Sequence, residues 1–224
     1  MQILKVLTLN FHKGFSMGNR RFTLEQIRSN LRATGSNIVF LQEVMGENEK
    51  HRQSISEWPD SNQFEFLADT VWDHYACGKN AIYQHGHHGN AILSELPFSR
   101  YQNIDITRHS FSQRGILHGE RENGVHLLCV HLGLLETERR HQVARVIDTI
   151  ERHIPMGAPL ILVGDFNDRR QSAHRSLTQH CGLVEANEVV NQRLARTYPA
   201  MMPLLPMDRI LPAWIQGGRY RGAG

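Results

Sequence analysis

The chain has 224 residues and no Pro- or Ser-rich linker, so it is read as one substantial domain over residues 1–211 followed by an atypical tail, 212–224. Its 40% hydrophobic and 21% charged residues suit a globular protein, and a formal charge of +3 (25 basic, 22 acidic, 14 histidines counted neutral) permits an anionic ligand without demanding one. No stretch reaches the ~20 apolar residues of a membrane span and the N-terminus enters a strand pattern directly, so no signal peptide and a cytoplasmic location are expected. Cys77, Cys129 and Cys181 are too few and too far apart for a disulfide framework or a zinc site.

In chain order, "ILKVLTLN" (3–10) alternates as a strand ending at Asn10. Thr23 and Gln26 are spaced as a capping box, and Leu24, Ile27 and Leu31 share a helix face. "NIVFLQE" (37–43) is a second strand, ending in Glu43. A histidine-rich turn, "YQHGHHGN", precedes the strand-like "AILS". "GVHLLCVHLG" (124–133) is a third clear strand, and Val143, Val146, Ile147 and Ile150 form the stripe of a helix over 136–153. "APLILVGDFND" (158–168) is the next strand, and a Pro-rich segment then leads to "MDRIL". Helices and strands do not alternate strictly, which favours two packed mixed sheets with helices outside.

Several strands end in polar groups: Asn10, Glu43, His131, and Asp165 with Asn167. One such end is an ordinary cap or turn. Brought to one rim, they make an oxygen-rich site with a histidine, suited to a hard cation such as Mg²⁺ rather than zinc. His12, two residues beyond Asn10, reads either as a substrate contact or as a loop histidine. His85, His87 and His88 read as a surface loop, with His88 the exception because it adjoins Asn90. Asn90 reads as a substrate contact or a strand cap. Arg20 and Arg21 read as solvated charges, and Arg169 and Arg170 follow the proposed site closely enough to meet an anion.

"TLN" (8–10), "LQE" (41–43), "GNAILS" (89–94), "CVHLG" (129–133) and "GDFND" (164–168) occur in this order. Together they resemble the endonuclease/exonuclease/phosphatase superfamily of metal-dependent phosphoesterases, and in particular its YbhP-like bacterial branch. The resemblance implies a four-layer α/β/β/α sandwich of two mixed sheets with outer helices. It implies hydrolysis of a phosphodiester by a metal-activated water, with Mg²⁺ (or Mn²⁺) as cofactor and a nucleic acid or lipid headgroup as the ester. Glu43 would ligate the metal beside Asn10. Asp165 would orient or activate the water, Asn167 would hold phosphate or metal-bound water, and His131 would bond a phosphate oxygen. Asp208 would orient a catalytic histidine. The family pattern places that histidine in a closing Ser-Asp-His run, which this sequence does not contain: its last histidine is His180 and its last acid Asp208. The tail reads as an irregular, frame-shifted or early-ended segment, and one sheet is expected to lack its terminal strand or two. Two readings stay open, an active phosphoesterase and a family member that binds metal or phosphate without efficient turnover. A nucleic-acid-binding module is disfavoured for want of a Lys/Arg stripe with stacking aromatics.

Overall fold

The computed structural model describes residues 4–15, 22–83, 86–199, 202–216 and 219–221. Its elements are β1 (Val6–Asn10), a 3-10 turn (His12–Gly14), α1 (Leu24–Thr34), β2 (Ile38–Asn48), α2 (Glu49–Ser54), α3 (Gln63–Ala68), β3 (His74–Tyr83), β4 (Gly86–Ser94), β5 (Phe98–Asp105), β6 (Gly115–Arg121), β7 (His126–His131), α4 (Glu136–His153), β8 (Pro159–Asp165), α5 (Ser172–Cys181), α6 (Ala186–Asn191), β9 (Asp208–Gln216) and β10 (Arg219–Arg221). They form a four-stranded sheet, β1-β2-β4-β3, and a six-stranded sheet, β10-β9-β8-β7-β6-β5. Both sheets are mixed: β1 runs parallel to β2 and β7 parallel to β8, and the other neighbours are antiparallel.

Three apolar layers hold the sheets and helices together. Ile38, Phe40, Ile92, Leu117, Leu127, Cys129 and Val163 pack between the two sheets. Val39, Leu41 and Leu93, on the other face of the first sheet, pack with Leu24 and Leu31 of α1 and Phe64 and Leu67 of α3. Leu128, Val130 and Leu162, on the outer face of the second sheet, pack with Val143, Val146 and Ile150 of α4 and Leu177 of α5. The order helix, sheet, sheet, helix is therefore the expected α/β/β/α sandwich. Each such buried aliphatic side chain contributes roughly 1.5–3 kcal/mol relative to exposure.

Several local expectations are corrected. The Thr23 hydroxyl donates to the Gly14 carbonyl, and Gln26 donates to Asn30, so no capping box forms at α1. His87 and His88 lie within β4 rather than on a turn, because β3 and β4 make a long hairpin that pairs Ile82 with His87 and Ala81 with His88. His85, Arg20 and Arg21 lie outside the described residues. The irregular tail does not begin at residue 212: β9 runs on to Gln216, pairing Ile161 with Pro212, Leu160 with Ala213 and Pro159 with Trp214. Leu211 and Ala213, two residues apart on this strand, are both buried. Beyond it, the three residues of β10 pair with β9.

Candidate active site

Strand period alone brings most of the polar ends to one face. Val6, Ile38, Phe40, Ile92, Cys129, Val163 and Ile210 belong to the inter-sheet layer. Side chains two residues apart on a strand share a face. Asn10, His88, Asn90, His131, Asp165 and Asp208 therefore all point between the sheets, and register sets His131 beside Asp165 and Asp165 beside Asp208.

Glu43 breaks this rule. Strict alternation from Gln42, which faces inward and donates to Cys129, would turn Glu43 outward toward the helices. Between Leu41 and Val44, however, β2 carries one extra residue against β4. Glu43 occupies that bulge with φ +57°, which re-aims its carboxylate to the rim. His12 (φ +44°) and Asn167 (φ +49°) are also left-handed. Such conformations cost about 1–3 kcal/mol each for non-glycine residues and gather at functional sites.

His131 is the centre of the cluster. Its Nδ1 lies 3.8 Å from Glu43 Oε1 and its Nε2 lies 3.8 Å from Asp165 Oδ2. His12, on the 3-10 turn after β1, places Nδ1 3.9 Å from the other Glu43 oxygen. Asn10 Nδ2 donates to Asp165 Oδ2 (3.1 Å), and the Asn167 backbone N–H donates to Asp165 Oδ1 (2.9 Å). The Asn167 side chain donates to the Leu132 carbonyl (2.9 Å), which fixes the turn after β8 to the turn after β7. The other carboxylate of the "GDFND" stretch serves the scaffold. Asp168 is fully buried and accepts the backbone N–H groups of Ser172 and His174 at the start of α5.

The electrostatics are set by burial. Burial holds the His131 imidazole well below its ordinary range, and Arg114, His88 and His12 add to the shift, so it is a neutral donor–acceptor. Burial and then the Asp208 charge push Asp165 up to about 6, against the hydrogen bonds from Asn10 and Asn167. Asp208 is also raised, chiefly by burial, and its Oδ1 is buried without a hydrogen-bond partner among the described residues. His88 is lowered to about 4 by burial, then by Lys13 and Arg114.

Arg114, at the mouth of β6, is a site residue that sequence reasoning missed. Its guanidinium is desolvated, and Glu138, Glu43 and Asp165 are the carboxylates that support its charge. Its Nε is buried without a partner among the described residues. "FSQRG" carries no motif; only the pairing of β6 with β7 shows that this arginine reaches the rim. Two predicted contacts fare differently. Asn90 is buried and spends both amide hydrogens on the carbonyls of Gly115 (3.1 Å) and Cys129 (3.2 Å), so it clamps the two sheets rather than offering a donor to substrate. Arg169 and Arg170 are exposed and make no ion pair among the described residues.

Whether a metal fits can be judged from the donors. Among the described residues no three His, Cys, Asp or Glu side chains group as ligands. One bulge-borne carboxylate, Glu43, next in sequence to the Gln42 that pairs with Asn10, does suit a hard cation, which takes one or two carboxylates and leaves its remaining positions to water and phosphate; the Asn10 amide oxygen accepts the His12 backbone N–H (3.2 Å).

The comparisons with known proteins agree with this architecture. The Endonuclease/Exonuclease/phosphatase family model matches residues 7–218. The chain is 44% identical over 211 residues to the uncharacterized protein YbhP of Escherichia coli (strain K12), covering 92% of this chain and 83% of YbhP. An endonuclease/exonuclease/phosphatase structure from Beutenbergia cavernae DSM 12333 superposes with TM-score 0.73 at 19% identity over 93% of this chain; the chain spans only 64% of that protein's length. D. rerio TDP2 complexed with single strand DNA product superposes with TM-score 0.65 at 16% identity, over 97% of this chain and 94% of that one. With the sandwich, the ordered motifs and the matched span in agreement, the chain belongs to the endonuclease/exonuclease/phosphatase family.

Proposed function

We propose that this chain hydrolyses a phosphodiester at the rim formed by Asn10, Glu43, His131 and Asp165, with a hard divalent cation, Mg²⁺ or Mn²⁺, held by Glu43 and Asn10. The observation that carries the reading is His131, at the end of β7, seated 3.8 Å from the Asp165 carboxylate at the end of β8 and 3.8 Å from Glu43 on the bulge of β2 in the other sheet. When bound, the cation would supply positive charge next to the phosphoryl oxygens.

The chain's own residues account for the remaining chemistry. Asp165, fixed by Asn10 and Asn167, holds the attacking water and takes its proton. A carboxylate raised to about 6 is a stronger base than an ordinary one and is still ionised at neutral pH. Neutral His131 donates a hydrogen bond to a non-bridging oxygen, where charge grows as the pentavalent transition state forms. Arg114, buried and incompletely paired, adds a cation to the same pole. His12 stands at the outer edge of the pocket beside Glu43, within reach of the substrate. Asn167 would orient phosphate. Arg169 lies farther out and would meet an anion only beyond the scissile group. The DNA complex of D. rerio TDP2 supports a nucleic-acid ester as the first substrate to try.

A second reading rests on Asp208. Its buried Oδ1 has no partner among the described residues, so a donor that would orient or protonate the leaving group is not supplied there. On this reading the chain binds metal or phosphate with little turnover. An assay of bis(p-nitrophenyl) phosphate, single-stranded DNA and phospholipid with Mg²⁺ or Mn²⁺ separates the two. Turnover lost on chelation supports the hydrolase, and phosphate binding with no turnover on any ester supports the impaired form.

A further inference from the structure

Two loops border the rim on the side of β6 and β7. The first is the hairpin 106–114, closed by a bridge between His109 and Ser112 and braced by hydrogen bonds between Thr107 and Arg114. Its tip carries Phe111, 77% exposed, with the ring stacked on His109 at 5.2 Å and an interplanar angle of 4°. The second loop follows His131 and carries Leu134 and Leu135, 73% and 50% exposed. Arg139 donates to the carbonyls of Gly133 and Leu134, so that loop's backbone is pinned while its side chains stay in solvent. Arg108 donates to the Thr137 carbonyl at 2.8 Å and ties the hairpin to the start of α4. Scattered exposed apolar residues need no explanation, but a braced apolar lip beside a polar pocket does.

We infer that this lip is a stacking platform for the base of a nucleotide-class phosphoester, with Phe111 and His109 as the stacking pair. The inference rests on the phosphoesterase reading given above and deepens it. Arg114 roots the hairpin in the anion-binding floor, three residues from Phe111. A phosphate held on that floor leaves its organic group at the lip. The tip is two flat rings already parallel, which present one more π-face to a base; its other residues, Ser110, Ser112 and Gln113, are polar and suit a ring with hydrogen-bonding edges. A membrane-inserting tip would have to bury those same polar groups. Only an unstacked base can reach such a platform, so single strands or free nucleotides fit and an intact duplex does not.

Titration calorimetry of the whole chain with adenosine 5′-monophosphate and with ribose 5-phosphate, in magnesium-containing buffer, tests this. The two probes share phosphate and sugar and differ in the base. The nucleotide should bind about five- to a hundredfold more tightly, and Phe111→Ala should erase that preference while leaving ribose 5-phosphate unchanged. Phe111 is too exposed for its loss to threaten folding, and an unchanged thermal midpoint verifies that. Equal binding of both probes, or a preference that survives Phe111→Ala, overturns the platform and leaves the phosphate floor standing. Failure of both probes to bind overturns the floor and the platform together. Phe111-dependent sedimentation with phosphatidylcholine/phosphatidylglycerol vesicles, without a base preference, overturns it in favour of a lipid surface.

Discussion

Two buried histidine sites lie at opposite ends of the six-stranded sheet. At the rim, His131 faces the inter-sheet space between Glu43 and Asp165. At the far end and on the outer face, His118 Nε2 lies 3.0 Å from His126 Nδ1, with His153 at the end of α4 nearby. Burial lowers the affinity of both for protons. What separates them is company. The far pair satisfies itself with one neutral hydrogen bond and leaves nothing unfinished. The rim histidine is surrounded by carboxylates, a desolvated arginine and three residues at positive φ. A buried histidine is therefore weak evidence for a site; one held among strained residues and under-satisfied charges is strong evidence.

The comparison is broken most easily by turnover. Asp165→Asn should lower kcat by ~10²–10⁴-fold, through loss of the base. His131→Gln should lower it by ~10²–10³-fold, through loss of a donor to the developing charge. His118→Gln should leave kcat unchanged and cost about 1 kcal/mol of stability, readable as a lower denaturation midpoint. Equal kcat losses at both ends would erase the distinction.

Stability against pH sharpens it, because Asp165 at the rim and His118 at the far end carry opposite signs. His118 takes a proton near pH 4 when folded and near 6.5 when unfolded. Its contribution is complete above 6.5 and is lost as pH falls toward 4, by at most about 3 kcal/mol. Asp165 behaves the other way. Its folded value of about 6 exceeds the unfolded 3.8, so it favours the folded state below 3.8 and this is lost as pH rises through 6. In chelator-containing buffer, Asp165→Asn should gain about 1–3 kcal/mol on the wild type at pH 8, and that gain should vanish by pH 4. His118→Gln should flatten the acid limb instead. Denaturant melts from pH 4 to 8 read both. The smallest effect concerns the cross-strand acid: Asp208→Asn should lower the Asp165 titration midpoint, followed by carboxyl NMR, because the Asp208 charge helps raise it.

Much of this was legible in the sequence where one physical rule dominated. Period-2 strands with polar ends announced Asn10, His131 and Asp165, and the helix stripe of α4 gave both of its boundaries, Glu136 and His153. The rest failed for identifiable reasons. β5 is exposed at six of its eight positions, so it carries no apolar alternation to read. β3 and β4 were obscured by histidines and glycines that suggest a turn, although His88 faces the site. Glu43 was chosen as a ligand by its motif, yet strict alternation would have aimed it away; only the bulge returns it. Arg114 and Phe111 sit in a hairpin without motif, and only tertiary packing brings Arg114 near Glu43, Glu138 and Asp165.

The central claim, that the rim grips a hard cation through Glu43, is tested most directly by Mn²⁺ binding followed by electron paramagnetic resonance, with Mg²⁺ as competitor. Wild-type protein should bind Mn²⁺ and release it to Mg²⁺, and Glu43→Gln should lose that binding while melting at an unchanged temperature. Mn²⁺ affinity that is the same in both proteins would contradict the account.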